Sequence, residues 1–211
     1  MTSTDFFNQI NTAIQSKLPF VLFSKPESQS VKAYIQTNTE THIIKDYSES
    51  GFVFAPFDSE KDSYYIPLDS SVFIDVKQPD FKGCSQSSSL RSIDSTVNHL
   101  TLVSKAIDEI KATDLKKVVL SREFKFHLED SNPLEIFKKL AQNYSSAFTY
   151  CWYHPQTGFW LGASPESLLK VEGKMVSTMA LAGTQVFKSS DKVEWDSKNI
   201  EEHAFVTDYL L

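Results

Sequence analysis

The sequence is poor in the features that mark several large protein classes. Two cysteines occur in 211 residues, Cys84 and Cys151. They are too few and too isolated for a disulfide framework or a zinc site. No apolar run approaches the roughly 20 residues that a membrane-spanning helix needs. Basic clusters are missing as well: 21 Lys and Arg stand against 27 Asp and Glu, giving a net charge of -6 and a sequence pI ≈ 5.4. Neutralising a phosphate backbone needs clustered cations, so nucleic acid is not an expected partner. The first twenty residues, MTSTDFFNQINTAIQSKLPF, lack the basic-then-apolar layout of a secretory signal. Together these absences predict a cytoplasmic, reducing location with no membrane contact. Cys151, inside FTYCWY, then reads as a buried strand thiol.

Core-forming material is plentiful. The composition is 41% hydrophobic and 13% aromatic, enough for one sizeable domain or a large piece of something longer. Phe6, Ile10, Ile14 and Leu18 keep helical spacing behind Thr4, which reads as an N-cap. Short β-like runs follow, FVLFSK, VKAYIQT, GFVFAPF, YYIPL and SVFIDVK, separated by polar, Gly or Pro punctuation. The Ser-rich stretch KGCSQSSSLRSIDS reads as a linker or surface loop. Val97, Leu100, Val103, Ile107 and Ile110 predict a long helix, and LKKVVLSREFKF reads as a strand. NPLEIFKKLAQNY predicts a helix capped by Asn132 with Pro133 at its first position. Three further β runs, AFTYCWYHP, GFWLGAS and ESLLKVEG, precede KMVSTMALAG. The last stretch, DSKNIEEHAFVTDYLL, has Ile200, Phe205, Val206, Tyr209 and Leu210 on or near one helix face. That helix carries no glycine, proline or polar tail as a C-cap, which leads us to expect that the natural protein continues. Its exposed apolar face would favour self-association.

Three polar positions could carry chemistry. Lys117 follows Lys116, and in a strand only one of the two can face inward. A partly buried lysine loses proton affinity and can act as a base. The bland alternative is a solvated edge charge. Glu166 sits in GFWLGASPESLL, between aromatic and aliphatic stretches, where Pro165 stiffens the turn. A carboxylate held against such surface has reason to keep its proton, and a protonated acid facing a lysine base lets one site run both halves of acid–base catalysis. A turn glutamate facing solvent is the alternative. The third position is KNIEEH, residues Lys198 to His203. Its plain reading is an exposed face with an i,i+4 ion pair, and its chemical reading is a Mg²⁺ ligand, since that ion takes one or two carboxylates together with substrate anions. His203 is an unsuitable Mg²⁺ ligand and reads as a packing or hydrogen-bonding residue.

Four blocks, KVVLSR (Lys117 to Arg122), LGASPESLL (Leu161 to Leu169), LAGT (Leu181 to Thr184) and DSKNIEEHAFVTD (Asp196 to Asp208), occur in an order that resembles the chorismate-utilising enzymes. These include the isochorismate, salicylate, anthranilate and aminodeoxychorismate synthases. The resemblance implies an α/β (α+β) fold of large, mostly antiparallel sheets with outer helices, of which only the N-terminal part would be present. Residues 1–96 would be the variable N-terminal part and residues 97–211 the first part of the chorismate-binding region. A C-terminal half would supply a second Mg²⁺ glutamate and the basic residues that grip chorismate.

The resemblance also implies roles. Lys117 looks like the base that activates water for attack at C2 of chorismate, and Glu166 like the acid that protonates the departing C4 hydroxyl. Glu202 is similar to one of two glutamates that hold Mg²⁺. Gly183 and Thr184 match a loop that approaches the ring carboxylate through backbone groups. Members that use ammonia carry glutamine where this chain has Lys117. Members that form a covalent lysine adduct place that lysine where this chain has Ala182. Water as nucleophile and isochorismate as product are therefore implied, serving menaquinone or siderophore synthesis. A salicylate synthase and a non-catalytic folded fragment that binds a partner chain are the alternatives. A glycosidase pair of Glu166 and Glu202 would leave Lys117 and LAGT without a task.

Overall fold

The computed structural model describes residues 2–77, 96–125, 132–186 and 193–211. The Ser-rich stretch and Cys84 lie outside the described residues. The chain forms two compact units: one from Met1–Gln86 and Asp130–Pro165, the other from Ser87–Glu129 and Glu166–Leu211. The division expected at residue 96 was drawn by resemblance, between a stretch with no readable motif and the region that holds the four blocks. The compact units follow strand pairing instead, because a segment after residue 130 returns to the N-terminal sheet.

In the first unit, helix α1 (Ser3–Gln15) is followed by strands β1 (Phe20–Ser24), β2 (Ser30–Gln36), β3 (Gly51–Phe54), β4 (Tyr64–Pro67) and β5 (Ser71–Lys77). The cap of α1 is Thr2, two residues earlier than expected from sequence. The Thr2 hydroxyl accepts from the Asp5 N–H at 3.1 Å, and the Asp5 carboxylate accepts in return from the Thr2 N–H at 3.3 Å. This reciprocal pair needs residues three apart, a spacing that Thr2 and Asp5 satisfy and that leaves Thr4 inside the helix. Later in the chain come α3 (Pro133–Asn143), β6 (Phe148–His154) and β7 (Gly158–Ser164). Asn132 caps α3 as expected, its side chain accepting from the Leu134 N–H at 2.9 Å.

The main sheet is five-stranded and antiparallel, in the order β5-β2-β1-β6-β7. Alternation along each strand sends side chains to two faces. Phe20 and Leu22 of β1, Val31 and Ala33 of β2, and Cys151 of β6 share a core with Phe6 and Ile10 of α1 and Phe137 of α3. Val21, Phe23 and Trp152 point the other way, into a second core with Ile66 of β4. The β3–β4 hairpin covers this face: Phe54 stacks on Trp152 with centroids 5.0 Å apart, and Phe52 stacks at 6.1 Å. Cys151 is fully buried, as its strand context predicts, and burial pushes its thiol up to about 12.

The second unit contains α2 (Thr96–Ala112), the hairpin of β8 (Lys170–Glu172) and β9 (Met175–Ser177), and α4 (Ser197–Leu210). Leu115–Lys125, expected as a strand, has no regular secondary structure. Val118, Val119 and Leu120 favour extended backbone, yet a strand exists only with a neighbour to share its ladder, and none of the described sheets includes this segment. Among the described residues of this unit no side chain is fully withdrawn from solvent. In α4, Phe205 and Val206 are half-buried while Ile200, Tyr209 and Leu210 are exposed. Among the described residues no helix is long and apolar enough to cross a membrane.

Candidate active site

All five residues singled out in the sequence fall in the second unit. Lys117 and Glu202 are brought together, with the Lys117 Nζ 3.2 Å from the Glu202 Oε1. Lys116 is exposed and Lys117 half-buried. One lysine of the two thus turns inward as anticipated, although without a strand to enforce it. Lys198, one helical turn before Glu202, sits 3.7 Å from the Oε2. The Glu202 carboxylate is therefore shared by two ammonium groups. The hydrogen bond and charge of Lys117, followed by those of Lys198, hold it below the ordinary glutamate range.

This cluster edges a cleft of about 460 Å³ whose apolar wall includes Leu115, Val118 and Phe205. Clefts of that size suit a small organic substrate. Three lysines, Lys116, Lys117 and Lys198, line it against two carboxylates, Glu201 and Glu202. The balance favours an anionic guest. As the site stands, the Lys117 nitrogen donates to a carboxylate.

The remaining residues lie outside the lining of this cleft. Glu166 is solvent-exposed, on the irregular stretch between β7 and β8. The burial expected from its apolar neighbours is absent. The sequence suggested otherwise because GFW and LL flank it, but Leu168 and Leu169 are themselves exposed and offer no cover. Thr184 is exposed too. Gly183 has φ +69, in the left-handed region that glycine tolerates, and a Cβ there would stand 2.5 Å from the Asn199 Oδ1. Asn199 and Asp196 were not anticipated. The Asp196 carboxylate caps α4, accepting from the Asn199 N–H at 2.8 Å and its side-chain amide at 2.9 Å. A capping aspartate three residues before an asparagine was the available signal. His203 acts as the hydrogen-bonding residue expected of it, its Nε2 lying 3.3 Å from the Ala180 carbonyl. The loop with Gly183 is thus tied to the helix that carries Glu202 by this hydrogen bond and passes close to Asn199.

Magnesium fits these residues poorly. Glu202 offers one carboxylate, already engaged by two cations, and among the described residues no group of three His, Cys, Asp or Glu side chains comes together. A Mg²⁺ ion seeks more oxygen than this.

The chain is 29% identical over 115 residues to isochorismate synthase MenF of Haemophilus influenzae, a match covering 50% of this chain and 27% of that protein. It is 31% identical over 114 residues to anthranilate synthase component 1 of Lactococcus lactis, covering 50% and 25%. The equivalent subunit of Streptomyces coelicolor is also 31% identical, over 117 residues and 22% of its length. The matched part of the chain thus spans about a quarter of each of these relatives. No solved structure matches. The chorismate binding enzyme model matches residues 19–211, so the similarity extends well before Leu115, where the motifs become readable, and the chain belongs to the chorismate-binding enzyme family.

Proposed function

We propose that the whole enzyme containing this chain adds water to chorismate and expels its C4 hydroxyl, giving isochorismate. Overall identity does not choose between the synthases, since isochorismate and anthranilate relatives are matched to nearly the same degree. The reading rests on one observation: a half-buried Lys117, held by Glu202, at the edge of a cleft with a cationic surplus. Ammonia is nucleophilic without help, whereas water needs a base, and a lysine at this position supplies one. The resemblance gives ammonia-using members a glutamine there.

In this reading the lysines of the cleft attract the carboxylates of chorismate. That attraction competes for the Lys117 ammonium and draws it from Glu202. Lys117 acts in its neutral form, its ammonium proton having passed to bulk solvent: it takes a proton from water as the oxygen attacks C2, and Glu166 in its acid form gives one to the departing C4 oxygen, the two groups resetting by exchange with solvent. Glu166 reaches that role without burial, so substrate itself must exclude the solvent around it. The Gly183–Thr184 backbone faces the ring carboxylate. For the whole enzyme we also propose Mg²⁺ with Glu202 as a ligand. The donors described here do not complete such a site, and no step above passes through the metal.

The decisive variant is Lys117→Gln in the whole enzyme. Loss of a positioned base lowers turnover about a hundred- to ten-thousand-fold. Chromatography of the products should show hydration lost and chorismate still bound. Near wild-type isochorismate formation by the variant would remove Lys117 as the base. Release of pyruvate with salicylate by the unmodified enzyme would point to the runner-up reading.

A further inference from the structure

A second cleft lies wholly within the first unit, between the β3–β4 hairpin and the start of β7, with a volume of about 800 Å³. Its walls include Phe54, Phe57, Tyr64 and Trp160. Three of them are held in place from behind: Phe54 lies 5.7 Å from Trp160 and stacks on the buried Trp152, Tyr64 stacks on His154 at 5.0 Å, and the Trp160 Nε1 donates to the Thr157 carbonyl at 3.0 Å. Phe57 is fully exposed and Trp160 is 52% exposed, an unusual display of aromatic surface on otherwise ordered structure. The charge at the mouth is one-sided. Lys61 is paired with Asp58 at 3.5 Å, and neither Glu60 nor Asp62 makes an ion pair among the described residues. Aromatic faces and unmatched carboxylates both attract positive charge. Both disfavour an anion, so the sign of charge works against chorismate, with its two carboxylates, in this cleft.

We infer that this cleft binds a small organic cation, an ammonium group carried on an apolar body. The apolar body covers Phe54 and Trp160 while the ammonium lies over an aromatic face, with Glu60 and Asp62 close by. This goes beyond the chemistry proposed for the second unit and does not depend on it.

The test uses the 211-residue chain and 2-phenylethylamine, with 2-phenylethanol and 3-phenylpropionate as neutral and anionic counterparts. Binding is followed by the indole N–H resonance of Trp160 in ¹H–¹⁵N spectra. The amine should shift that resonance saturably and bind about tenfold more tightly than the alcohol, the combined effect of a cation–π contact and two solvent-screened carboxylates. The propionate should bind more weakly still. The double variant Glu60→Gln/Asp62→Asn should bring the amine to the affinity of the alcohol, and added salt should do part of the same. Phe57→Ser should weaken both, because it removes a wall and leaves the charge. All these side chains are exposed, and an unchanged spectrum elsewhere confirms the fold. Equal affinity for amine and alcohol, no saturable shift with the amine, or a double variant that binds as the parent does would each overturn the inference.

Discussion

Phe20, Leu22 and Trp152 in the first unit are fully buried, whereas Leu168, Met175 and Tyr209 in the second are 88%, 73% and 89% exposed. Both units are drawn from the same chain with helices and hairpins of ordinary length. What separates them is the presence of a sheet with two covered faces. In the first unit the central strands β1 and β6 are covered on both faces, so the alternation in FVLF and YCWY becomes two cores. In the second, α2, α4 and the β8–β9 hairpin show apolar faces that meet little. Every residue proposed for chorismate chemistry falls in this less packed unit, where partly solvent-exposed polar contacts such as Lys117–Glu202 and His203–Ala180 join segments distant in sequence. Sites often occupy the less stable parts of a fold.

The largest expected difference is in amide hydrogen exchange. Backbone N–H groups of β1, β2 and β6 should open only with global unfolding, while those of α4 and the β8–β9 hairpin should open locally. For a unit of ordinary stability, about 5 kcal/mol or more, protection in the sheet should exceed that in α4 by roughly four orders of magnitude. Equal protection in α4 would mean that its apolar face is covered in solution, for instance by a second copy of the chain. Sedimentation at two concentrations then identifies that cover.

Mutation sharpens the same contrast. Trp152→Ala removes a ring stacked on Phe54, Phe52 and His154 and the indole N–H bond to the Thr157 hydroxyl at 2.9 Å. A buried aromatic truncated to alanine costs about 3–5 kcal/mol. Ile200→Ala on α4, where the side chain is 59% exposed, should stay within about 0.5 kcal/mol. Urea unfolding of both variants checks the pair, and a large loss for Ile200→Ala would show that the two units are not packed differently after all.

The same split decides what could be read from sequence. Strand periodicity, the Asn132–Pro133 helix start and the buried thiol of Cys151 were legible because each follows from nearest-neighbour geometry that the sheet then realises. The strand expected over Leu115–Phe126 was not, because pairing partners are long-range and VVL states a preference only. Lys117 and Glu202 were legible as separate motifs through family resemblance. Their contact at 3.2 Å was not, since residues 85 positions apart share no periodicity. The exposure of Glu166 was hidden for a related reason: flanking apolar residues predict burial only if something packs on them. Asn199 beside Gly183 shows a local signal overlooked, because a capping aspartate and a left-handed glycine were each visible in the letters.

A smaller effect tests the first unit by pH. His154 is buried, its Nδ1 accepts from the Gln156 N–H at 3.1 Å, and its ring stacks on Trp152 and Tyr64. Burial, then the charge of nearby His42, pushes its pKa below the ordinary histidine value. Above an unfolded value of about 6.5 the ring is neutral in both states and stability is flat. As pH falls through that value the unfolded chain takes up the proton first, so stability declines until the lowered folded value is passed. His154→Gln should flatten this slope between about pH 6.5 and the lowered folded value, read from urea midpoints at several pH values. An unchanged slope would assign it to other groups.

The smallest expected effect lies in the second unit and asks whether its site is formed at all. Glu202 is held below the ordinary glutamate range first by Lys117 and second by Lys198. The carboxylate is partly solvated, so its pairing contributes little to stability and that little is screened by salt. What it contributes is present above the unfolded glutamate value and is lost as pH falls through the lowered one. The sensitive readout is the ¹³C carboxyl resonance of Glu202 as pH is lowered. Its midpoint should lie below that of an ordinary glutamate and move up in Lys117→Gln, with a smaller move in Lys198→Gln. A larger move in Lys198→Gln would make the helical i,i+4 pair dominant and leave Lys117 unheld. An ordinary midpoint in the parent chain would mean that Lys117 and Glu202 do not meet in solution. The second unit would then differ from the first in lacking a formed site as well as a core.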